Sequence, residues 1–363
     1  MSSRNVYRVI ATMSGSSLDG LDIVYAHIQL EPQPTFRIIA ADTFAYTDAE
    51  LQVLRVVSRT SMHTDDQTDR WYGAISAAYI RRFIQQLGDP SVDLVASHGH
   101  TTLHKPALGI SQQIGDPQVM ADALRLPVIA RFRQADVDAG GQGAPLVPVC
   151  DQLFFAEYDA CLNIGGIANI SFETPDGRVG FDICGANQIL NFFAEQAGWP
   201  YDAEGEMAAA GEKDAALFDQ LNVIPFLSAP YPKSLDNHFV HRAFIEPLQR
   251  APLMLNDKLA TAAHHIAYQI ARVIQQQPGR RALADYRLLV TGGGAFNRHL
   301  IKLIEEYAGI RIQLPDKIII QYKEALAMAL MGVLRHENRP NFLPSVTGAR
   351  IAVSGGVIAT PGK

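Results

Sequence analysis

The chain has 363 residues, more than one hydrophobic core usually supports, so two domains are expected. Hydrophobic residues make up 48% and charged residues 19% of the sequence, a balance that excludes disordered, fibrous and membrane-embedded classes. The formal net charge of -6 leaves no broad cationic surface, so we expect no nucleic-acid partner.

Targeting and redox signals are absent from the sequence. Met1 to Asn5 lead into a strand-like segment without an apolar signal sequence, and no uncharged run reaches the ~18 residues that a membrane span needs. We therefore expect a cytoplasmic protein with no membrane association. Cys150, Cys161 and Cys184 are widely spaced and contain no C-x-x-C pair, which favours reduced packing residues over a disulfide framework or a zinc site.

The N-terminal half alternates strand and helix patterns. Tyr7 to Ala11 and Asp22 to Ile28 read as strands around a turn from Ser14 to Gly20, so the chain opens with a hairpin. Thr47 and Glu50 have the spacing of a capping box, which predicts the start of a helix. Further predicted elements are extended chain at 36–46, a helix at 66–87, a strand at 92–96, a helix at 118–126 and a strand at 128–132.

The opening pattern returns about 150 residues later, a spacing that indicates a duplicated domain and not a solenoid repeat. Cys161 to Phe172 again reads as strand, glycine turn and strand. We expect two α/β domains, residues 1–150 and residues 151–363, with the boundary between Pro145 and Asp159. The second half continues with predicted strands at 179–182 and 286–290 and helices at 188–196, 259–275, 298–307 and 324–335.

Three glycine-containing turns could bring backbone N–H groups close to phosphates. They are Ser14 to Gly20, Gly165-Gly166, and Gly292 to Gly294. None fits the P-loop or the G-x-G-x-x-G fingerprint, and each cluster taken singly is better explained as a tight turn. Two lie in repeated hairpins and the third joins a strand to a helix, so together they favour a nucleotide-binding fold.

The segment from Met13 to Asp22 resembles the signature opening of the anhydro-N-acetylmuramic acid kinase family, which belongs to the actin/hexokinase-like ATPase superfamily. Further blocks resemble the same family, in family order and over nearly the whole chain. They are 97–101, 113–116, 132–133 with 136, 139–148, 163–170, 180–182, 232–234, 292–297, 324–325 and 346–349. An ordered series of blocks is far more specific than any single motif.

The resemblance implies an α/β fold of two ribonuclease-H-like domains with a cleft between them, where ATP lies beside a sugar. The turn from Gly15 to Gly20 would hold the β- and γ-phosphates, with Asp19 near Mg²⁺. The resemblance also implies a homodimer. The implied ATP-binding residues are Gly15, Ser16, Ser17, Asp19, Gly20, Gly165, Gly166, Gly292, Gly293, Gly294 and Asn297.

The reaction of the family, as the resemblance implies it, acts on a sugar whose 6-oxygen is bound to the anomeric carbon in a 1,6-anhydro bridge. Water must open that bridge, and a carboxylate can take the proton of the water while the departing 6-oxygen captures the γ-phosphate. By resemblance, Asp182 is this base. The alternative interpretation of Asp182 is a cap for the helix that follows it.

Polar side chains in the family blocks are the implied substrate contacts. They are His98, Arg133, Asn169, Asn187 and Glu324. His98, His100 and His104 could instead form a metal cluster, because alternating side chains share one face of a strand. His264 and His265, on a long apolar helix, are interpreted as packed or surface residues. Lys233 is interpreted as a solvated lysine, with a phosphate contact or an inter-domain contact as the alternatives.

One block departs from the family pattern. After Phe181-Asp182 the family has Thr-Gly-Pro-Gly-Asn, whereas this chain has Ile183-Cys184-Gly185-Ala186-Asn187. The base and the closing asparagine remain, but the turn between them differs, which leaves the substrate open. The leading hypothesis is a kinase for 1,6-anhydro-N-acetylmuramic acid in cell-wall sugar recycling. The alternatives are a kinase for another anhydrosugar or a hexose, and a non-catalytic actin-like module that binds ATP.

Overall fold

The computed structural model describes residues 6–15, 18–59, 63–277 and 281–362. The chain forms two compact units: unit 1 is Met1–Phe154 with Tyr322–Lys363, and unit 2 is Phe155–Gln321. The predicted domains, 1–150 and 151–363, differ from these units because the last part of the chain belongs to unit 1. Its final strand pairs with a strand of the unit 1 sheet.

The strands and helices below are numbered in chain order. The strands are β1 (Tyr7–Ser14), β2 (Leu21–Gln29), β3 (Thr35–Phe44), β4 (Leu94–Ser97), β5 (His100–Lys105), β6 (Ile110–Ile114), β7 (Val128–Ala130), β8 (Ala160–Ile164), β9 (Ile167–Thr174), β10 (Gly177–Gly185), β11 (Leu288–Thr291) and β12 (Val357–Ala359). The helices are α1 (Asp48–Arg59), α2 (Asp66–Gln86), α3 (Pro117–Leu124), α4 (Arg133–Asp138), α5 (Pro148–Phe154), α6 (Asn187–Gln196), α7 (Glu206–Ala209), α8 (Ala215–Asn222), α9 (Pro225–Ser228), α10 (Asn237–Val240), α11 (Glu246–Arg250), α12 (Leu255–Gln276), α13 (Arg298–Ala308), α14 (Lys317–His336) and α15 (Pro344–Thr347).

The two main sheets share one strand pattern. The unit 1 sheet has the order β12-β7-β4-β1-β2-β3, and the unit 2 sheet has the order β10-β9-β8-β11. In both units three consecutive strands form an antiparallel meander, and the first of them also pairs in parallel with a later strand, β4 or β11. Such a parallel pair needs a crossover connection, and helices supply it. This repeated core is the ribonuclease-H-like arrangement, and it confirms the expected α/β fold class.

Local sequence signals account for several helices. Thr47 and Glu50 form the predicted capping box: the Thr47 N–H donates to Glu50 Oε2 at 2.7 Å, and the Glu50 N–H donates to Thr47 Oγ1 at 3.3 Å. In α12 the buried residues Leu259, Ile266 and Ile270 recur at helical spacing and pack into the unit 2 core. Burial of this apolar stripe fixes α12 against the sheet.

Other elements were not predicted. The β5–β6 hairpin and the short helices between residues 203 and 250 lack strong periodicity, and α14 begins at Lys317 instead of Glu324. None of the described helices is long and apolar enough to span a membrane.

Candidate active site

The first glycine turn follows β1 and leads into β2. Ser16 and Ser17 lie outside the described residues, so their predicted phosphate contacts stay predictions. The Gly15 carbonyl accepts a hydrogen bond from the Leu18 N–H at 3.3 Å, which closes the turn. Gly20 is required by packing, because a Cβ there would lie 2.8 Å from the Phe44 carbonyl oxygen of β3. Gly20 is therefore packed closely against β3.

Three carboxylates of unit 1 repel one another near this turn. Burial and the charges of Asp19 and Glu324 raise the pKa of Asp22 to about 6, although Thr43 Oγ1 donates to Asp22 Oδ1 at 2.6 Å. Burial likewise raises the pKa of Glu324, while Lys323 and Arg133 oppose that shift. Asp22 lies in the family-like opening, yet it was not among the predicted site residues.

Oxygen donors of this kind suit Mg²⁺, which binds carboxylates together with waters and phosphates. The described residues contain no group of three or more His, Cys, Asp or Glu placed to hold a metal by themselves. The carboxylates of Asp19 and Asp22 are oxygen donors of the kind that bind a cation together with phosphate oxygens. The assignment of Asp19 to Mg²⁺ stays a prediction.

His98 and Arg133 are directly hydrogen-bonded. His98 Nε2 lies 3.1 Å from Arg133 Nε and 3.0 Å from Arg133 Nη2, while His98 Nδ1 lies 3.0 Å from the Gly99 carbonyl oxygen. Arg133 Nη1 also donates to the Gly143 carbonyl at 2.7 Å. Burial and the neighbouring guanidinium lower the pKa of His98 to about 3. The structure therefore brings these two predicted substrate residues together, with His98 neutral.

The histidines of the metal-cluster alternative have separate partners. His100 lies between two serine hydroxyls, with Nδ1 3.0 Å from Ser14 Oγ and Nε2 2.9 Å from Ser58 Oγ. His104 Nδ1 instead contacts Ser111 Oγ at 2.9 Å. The metal-cluster interpretation is wrong for the described residues, because each imidazole is held by different polar groups.

A buried carboxylate fixes the loop beside Arg133. Asp136 Oδ2 accepts the Gly143 N–H at 2.7 Å, and Asp136 Oδ1 accepts the Thr347 hydroxyl at 2.8 Å. A Cβ at Gly141 would lie 2.2 Å from Asp136 Oδ2, so this position must be glycine. The loop that offers its Gly143 carbonyl to Arg133 is thereby anchored to α15.

A row of polar residues crosses the unit 2 sheet at its glycine-turn end. Asp182 pairs with Asn169, Asn169 pairs with Asn163, and Asn163 pairs with Thr291. Directly paired residues project from the same face of a sheet. Four polar side chains therefore share one face, including two predicted site residues. The Asn163 side chain lies next to Gly165 and Gly292. Asn163 was not among the predicted site residues, although it lies in a family-like block.

Asp182 sits on β10 at a bulge. Asp182 pairs with Asn169 and Cys184 with Ala168, so Ile183 is the extra residue. Such bulges re-aim a side chain and recur beside active sites. The helix-cap interpretation is wrong, because the N-cap of α6 is Ala186, and it makes no side-chain cap.

The carboxylate of Asp182 is half-buried and anchored on one side. Oδ2 accepts the Leu235 N–H at 2.8 Å, and the Asp182 N–H donates to the Lys233 carbonyl at 3.1 Å. Burial raises the pKa of Asp182, whereas the Leu235 hydrogen bond and the Lys233 charge oppose the rise. Within the described part of the chain no hydrogen bond engages Oδ1, so that oxygen can accept a proton.

The side chains of Lys233 and Cys184 are both engaged inside unit 2. The Lys233 ammonium donates to the carbonyls of Phe226 at 3.0 Å and Leu227 at 3.1 Å, so its interpretation as a solvated lysine is wrong. Cys184 is fully buried, and burial raises the pKa of its thiol to about 12, which favours an inert packing residue.

The second glycine turn faces the start of α6. The carbonyls of Gly165 and Gly166 accept hydrogen bonds from the N–H groups of Asn187, at 3.0 Å, and of Ala186, at 2.8 Å. The Asn187 side chain donates to the Ile164 carbonyl at 3.0 Å. A Cβ at Gly165 or Gly166 would meet only ordinary contacts of 3.5–3.8 Å. Internal packing therefore does not require glycine at either position.

The third glycine cluster contains two kinds of glycine. Gly292 has a φ of 82°, and a Cβ at Gly294 would lie 2.2 Å from Ile164 Cγ2, so conformation and packing require both. Gly293 is exposed, and a Cβ there would meet only the Asn187 amide nitrogen at 3.5 Å. Asn297 caps α13, with Oδ1 accepting the Leu300 N–H at 2.9 Å. Of the three glycines, only Gly293 is required neither by backbone conformation nor by internal packing.

Sequence comparison identifies the family of this chain. The two ribonuclease-H-like cores, with glycine turns at strand ends, place the chain in the actin/hexokinase-like class of ATPase folds. A model of the family "Anhydro-N-acetylmuramic acid kinase" matches residues 7–361. The chain belongs to the anhydro-N-acetylmuramic acid kinase family.

Curated relatives of that name match along their whole length. The relative from Methylobacterium nodulans is 33% identical over 385 residues, covering 98% of this chain and 100% of the relative. The relative from Shewanella putrefaciens is 35% identical over 374 residues, covering 97% and 98%. The relative from Rhodopseudomonas palustris is 34% identical over 373 residues, covering 97% and 99%.

Proposed function

We propose that this chain is an ATP-dependent kinase that opens the 1,6-anhydro bridge of anhydro-N-acetylmuramic acid with water and phosphorylates the released 6-oxygen, in cell-wall sugar recycling. The observation that carries the proposal is Asp182, a half-buried strand-end carboxylate with Oδ2 anchored by Leu235 and no hydrogen bond to Oδ1 within the described residues. A kinase that deprotonates a sugar hydroxyl and a kinase that activates water each need one base. Asp182 by itself therefore does not distinguish the two reactions. Family membership favours water.

In the proposed step, the oxygen of a water molecule attacks the anomeric carbon and its proton passes to Asp182 Oδ1. The bond between the anomeric carbon and the 6-oxygen breaks, and the 6-oxygen attacks the γ-phosphorus of ATP while ADP leaves. A carboxylate whose pKa is raised by burial is a better base than an ordinary one. The products are a 6-phosphorylated reducing sugar and ADP.

The remaining predicted residues divide between the two substrates. Arg133, oriented by His98, and Glu324 supply charge for sugar recognition. Asn169, which pairs with Asp182, and Asn187, at the start of α6, supply amides. Gly293 and the Gly165-Gly166 turn allow close approach of a nucleotide, because internal packing does not explain them. Mg²⁺, held by Asp19 together with phosphate oxygens, would neutralise phosphate charge. The resemblance further implies a homodimer, and we propose from composition and charge a cytoplasmic protein with no nucleic-acid partner.

Two other functions remain alternatives. A kinase for a hexose or another anhydrosugar would use Asp182 on a sugar hydroxyl or on a different bridge, and the altered turn from Ile183 to Ala186 is the reason to test it. An actin-like module without turnover is disfavoured, because such a module needs no base at Asp182. ADP release with Mg-ATP and a panel of sugars separates the three functions.

The experiment compares the parent chain with Asp182→Asn, which keeps the size and the Leu235 hydrogen bond but removes basicity. The proposal predicts ADP release with the anhydro form of N-acetylmuramic acid only, and a loss of roughly two to four orders of magnitude in Asp182→Asn without loss of folding. Equal turnover by Asp182→Asn, or activity confined to glucose or N-acetylmuramic acid, would refute it.

A further inference from the structure

The segment from Tyr231 to Leu235 lies along β10 beside Asp182. The ring of Tyr231 stacks on that of Phe181, with centroids 5.1 Å apart and an interplanar angle of 9°. The Lys233 carbonyl accepts the Asp182 N–H at 3.1 Å, and the Leu235 N–H donates to Asp182 Oδ2 at 2.8 Å. The orientation of the carboxylate therefore depends on where this segment is held.

The Lys233 ammonium anchors the middle of the segment. It donates to two carbonyls of α9, Phe226 at 3.0 Å and Leu227 at 3.1 Å. It also lies 4.7 Å from the ring centroid of Phe226 and 5.7 Å from that of Phe181. Cations are stabilised both at helix C-termini and over aromatic faces. Lys233 thus links α9, β10 and the segment from Tyr231 to Leu235.

We propose that Lys233 is a positioning residue for Asp182: it holds the Leu235 N–H on Oδ2, leaves Oδ1 for the water, and keeps a positive charge beside the carboxylate. This inference rests on the proposed function, because it assumes that Asp182 is the base. Lys233 itself touches no reacting atom in this scheme.

The charges around Asp182 predict how the pH dependence of kcat changes when Lys233 is replaced. Burial raises the pKa of Asp182, and the Lys233 charge lowers it. The other titratable neighbour, Cys184, is a neutral thiol below about pH 12. Burial lowers the pKa of Lys233, and the positive charge of Arg272 lowers it further. Arg272 Nη2 donates to the Leu227 carbonyl at 3.5 Å. Removing the lysine charge therefore raises the pKa of Asp182.

The test replaces Lys233 in the full chain with Met, Gln and Arg, and measures kcat and KM for the anhydrosugar from pH 4 to 9. Activity requires the deprotonated carboxylate, so Lys233→Met should move the acid limb of the kcat profile upward by about one pH unit. We expect kcat at pH 7 to fall roughly 10- to 100-fold, with little change in KM. Lys233→Arg should restore the limb. Lys302→Met, at an exposed site on α13, is the matched control for loss of one charge.

The outcomes separate this inference from the proposed function. Asp182→Asn with parental activity refutes the proposed function and the inference with it. Inactive Asp182→Asn, combined with a parental kcat and an unmoved acid limb in Lys233→Met, refutes only the role of Lys233. If thermal unfolding shows that Lys233→Met does not fold, Lys233→Gln decides, because it keeps a donor without the charge. A raised acid limb supports the inference, and an unmoved limb overturns it.

Discussion

His98 accepts two hydrogen bonds from the guanidinium of Arg133 on a single ring nitrogen. A carbonyl oxygen can only accept, so His98 Nδ1 carries the proton that is donated to Gly99, and Nε2 keeps the lone pair that Arg133 uses. The pair therefore exists only with a neutral imidazole, and burial, which lowers the pKa of His98 to about 3, maintains that state. His98 orients the arginine.

Removal of the imidazole should weaken sugar binding and leave the chemical step nearly intact. In His98→Ala, Arg133 keeps its hydrogen bond to the Gly143 carbonyl but loses the partner that fixes its plane. We expect KM for the sugar to rise about 10-fold or more, the size of a lost hydrogen bond to a charged group, and kcat to change less. Steady-state kinetics checks this, with unfolding as the folding control. An unchanged KM would remove His98 from sugar recognition.

Adjacent glycines offer a matched pair of substitutions. Gly293→Ala should fold like the parent but bind Mg-ADP about tenfold more weakly, because its methyl group projects where we place the nucleotide. Gly294→Ala should lose about 1–3 kcal/mol of stability, since its Cβ would overlap Ile164. Calorimetric titration and thermal unfolding measure the two effects. Parental Mg-ADP affinity in Gly293→Ala would contradict the nucleotide assignment.

The anchor between Asp136 and Thr347 should contribute strongly to stability. Thr347→Val leaves one oxygen of the buried Asp136 carboxylate without its hydroxyl donor, whereas Thr347→Ser keeps that donor. We expect Thr347→Val to lower the free energy of unfolding by about 1–3 kcal/mol and Thr347→Ser to stay near the parent value. Urea denaturation compares the two variants. Equal stability would show that the hydroxyl contributes nothing to the loop.

Buried His265 should make the protein less stable in acid. Its Nδ1 lies 2.8 Å from Asn222 Oδ1, and burial lowers its pKa to about 3 from an ordinary value near 6.5. Between these values the unfolded chain binds a proton that the folded chain does not, so stability falls as pH drops from about 6.5 to 3. This residue alone contributes about 1.4 kcal/mol per pH unit there.

His265→Gln keeps an amide donor for Asn222 and removes the titration, so it tests this origin of acid sensitivity. Urea unfolding at pH 7, 6 and 5 should give a shallower pH dependence for the variant than for the parent. His98 and His100, whose pKa values are lowered to about 3 and about 4, keep part of the slope in both proteins. Parallel curves for the two proteins would show that His265 does not titrate on unfolding.

Local patterns predicted the elements that depend on neighbouring residues. The first hairpin, its echo at Cys161 to Phe172, the capping box at Thr47 and the long amphipathic helix α12 all follow from turn chemistry or periodicity. The return of the chain to unit 1 did not follow, because the three residues of β12 carry no signal for the strand with which they pair. Such pairing is a long-range property.

Prediction of the site had the same limit. Asp182 and Arg133 were proposed as site residues from family-like blocks, and those roles stay predictions. The sequence did not show that Lys233 is anchored by two carbonyls or that Asn163 pairs with Asn169 in the same row as Asp182. Asp22, three residues after Asp19, was not predicted, because its raised pKa comes first from burial and only then from the charges of Asp19 and Glu324. These contacts and this pKa depend on strand register and burial, which the sequence does not display.

Turnover in ¹⁸O-water tests the central claim most directly, because it follows the oxygen that Asp182 is proposed to activate. The enzyme is mixed with Mg-ATP and the anhydro form of N-acetylmuramic acid, and product is analysed early against a no-enzyme control for exchange at the anomeric oxygen. The account predicts one ¹⁸O at the anomeric position of the 6-phosphorylated sugar and none in its phosphate group. Product without anomeric label beyond the control, or label in the phosphate, would contradict it.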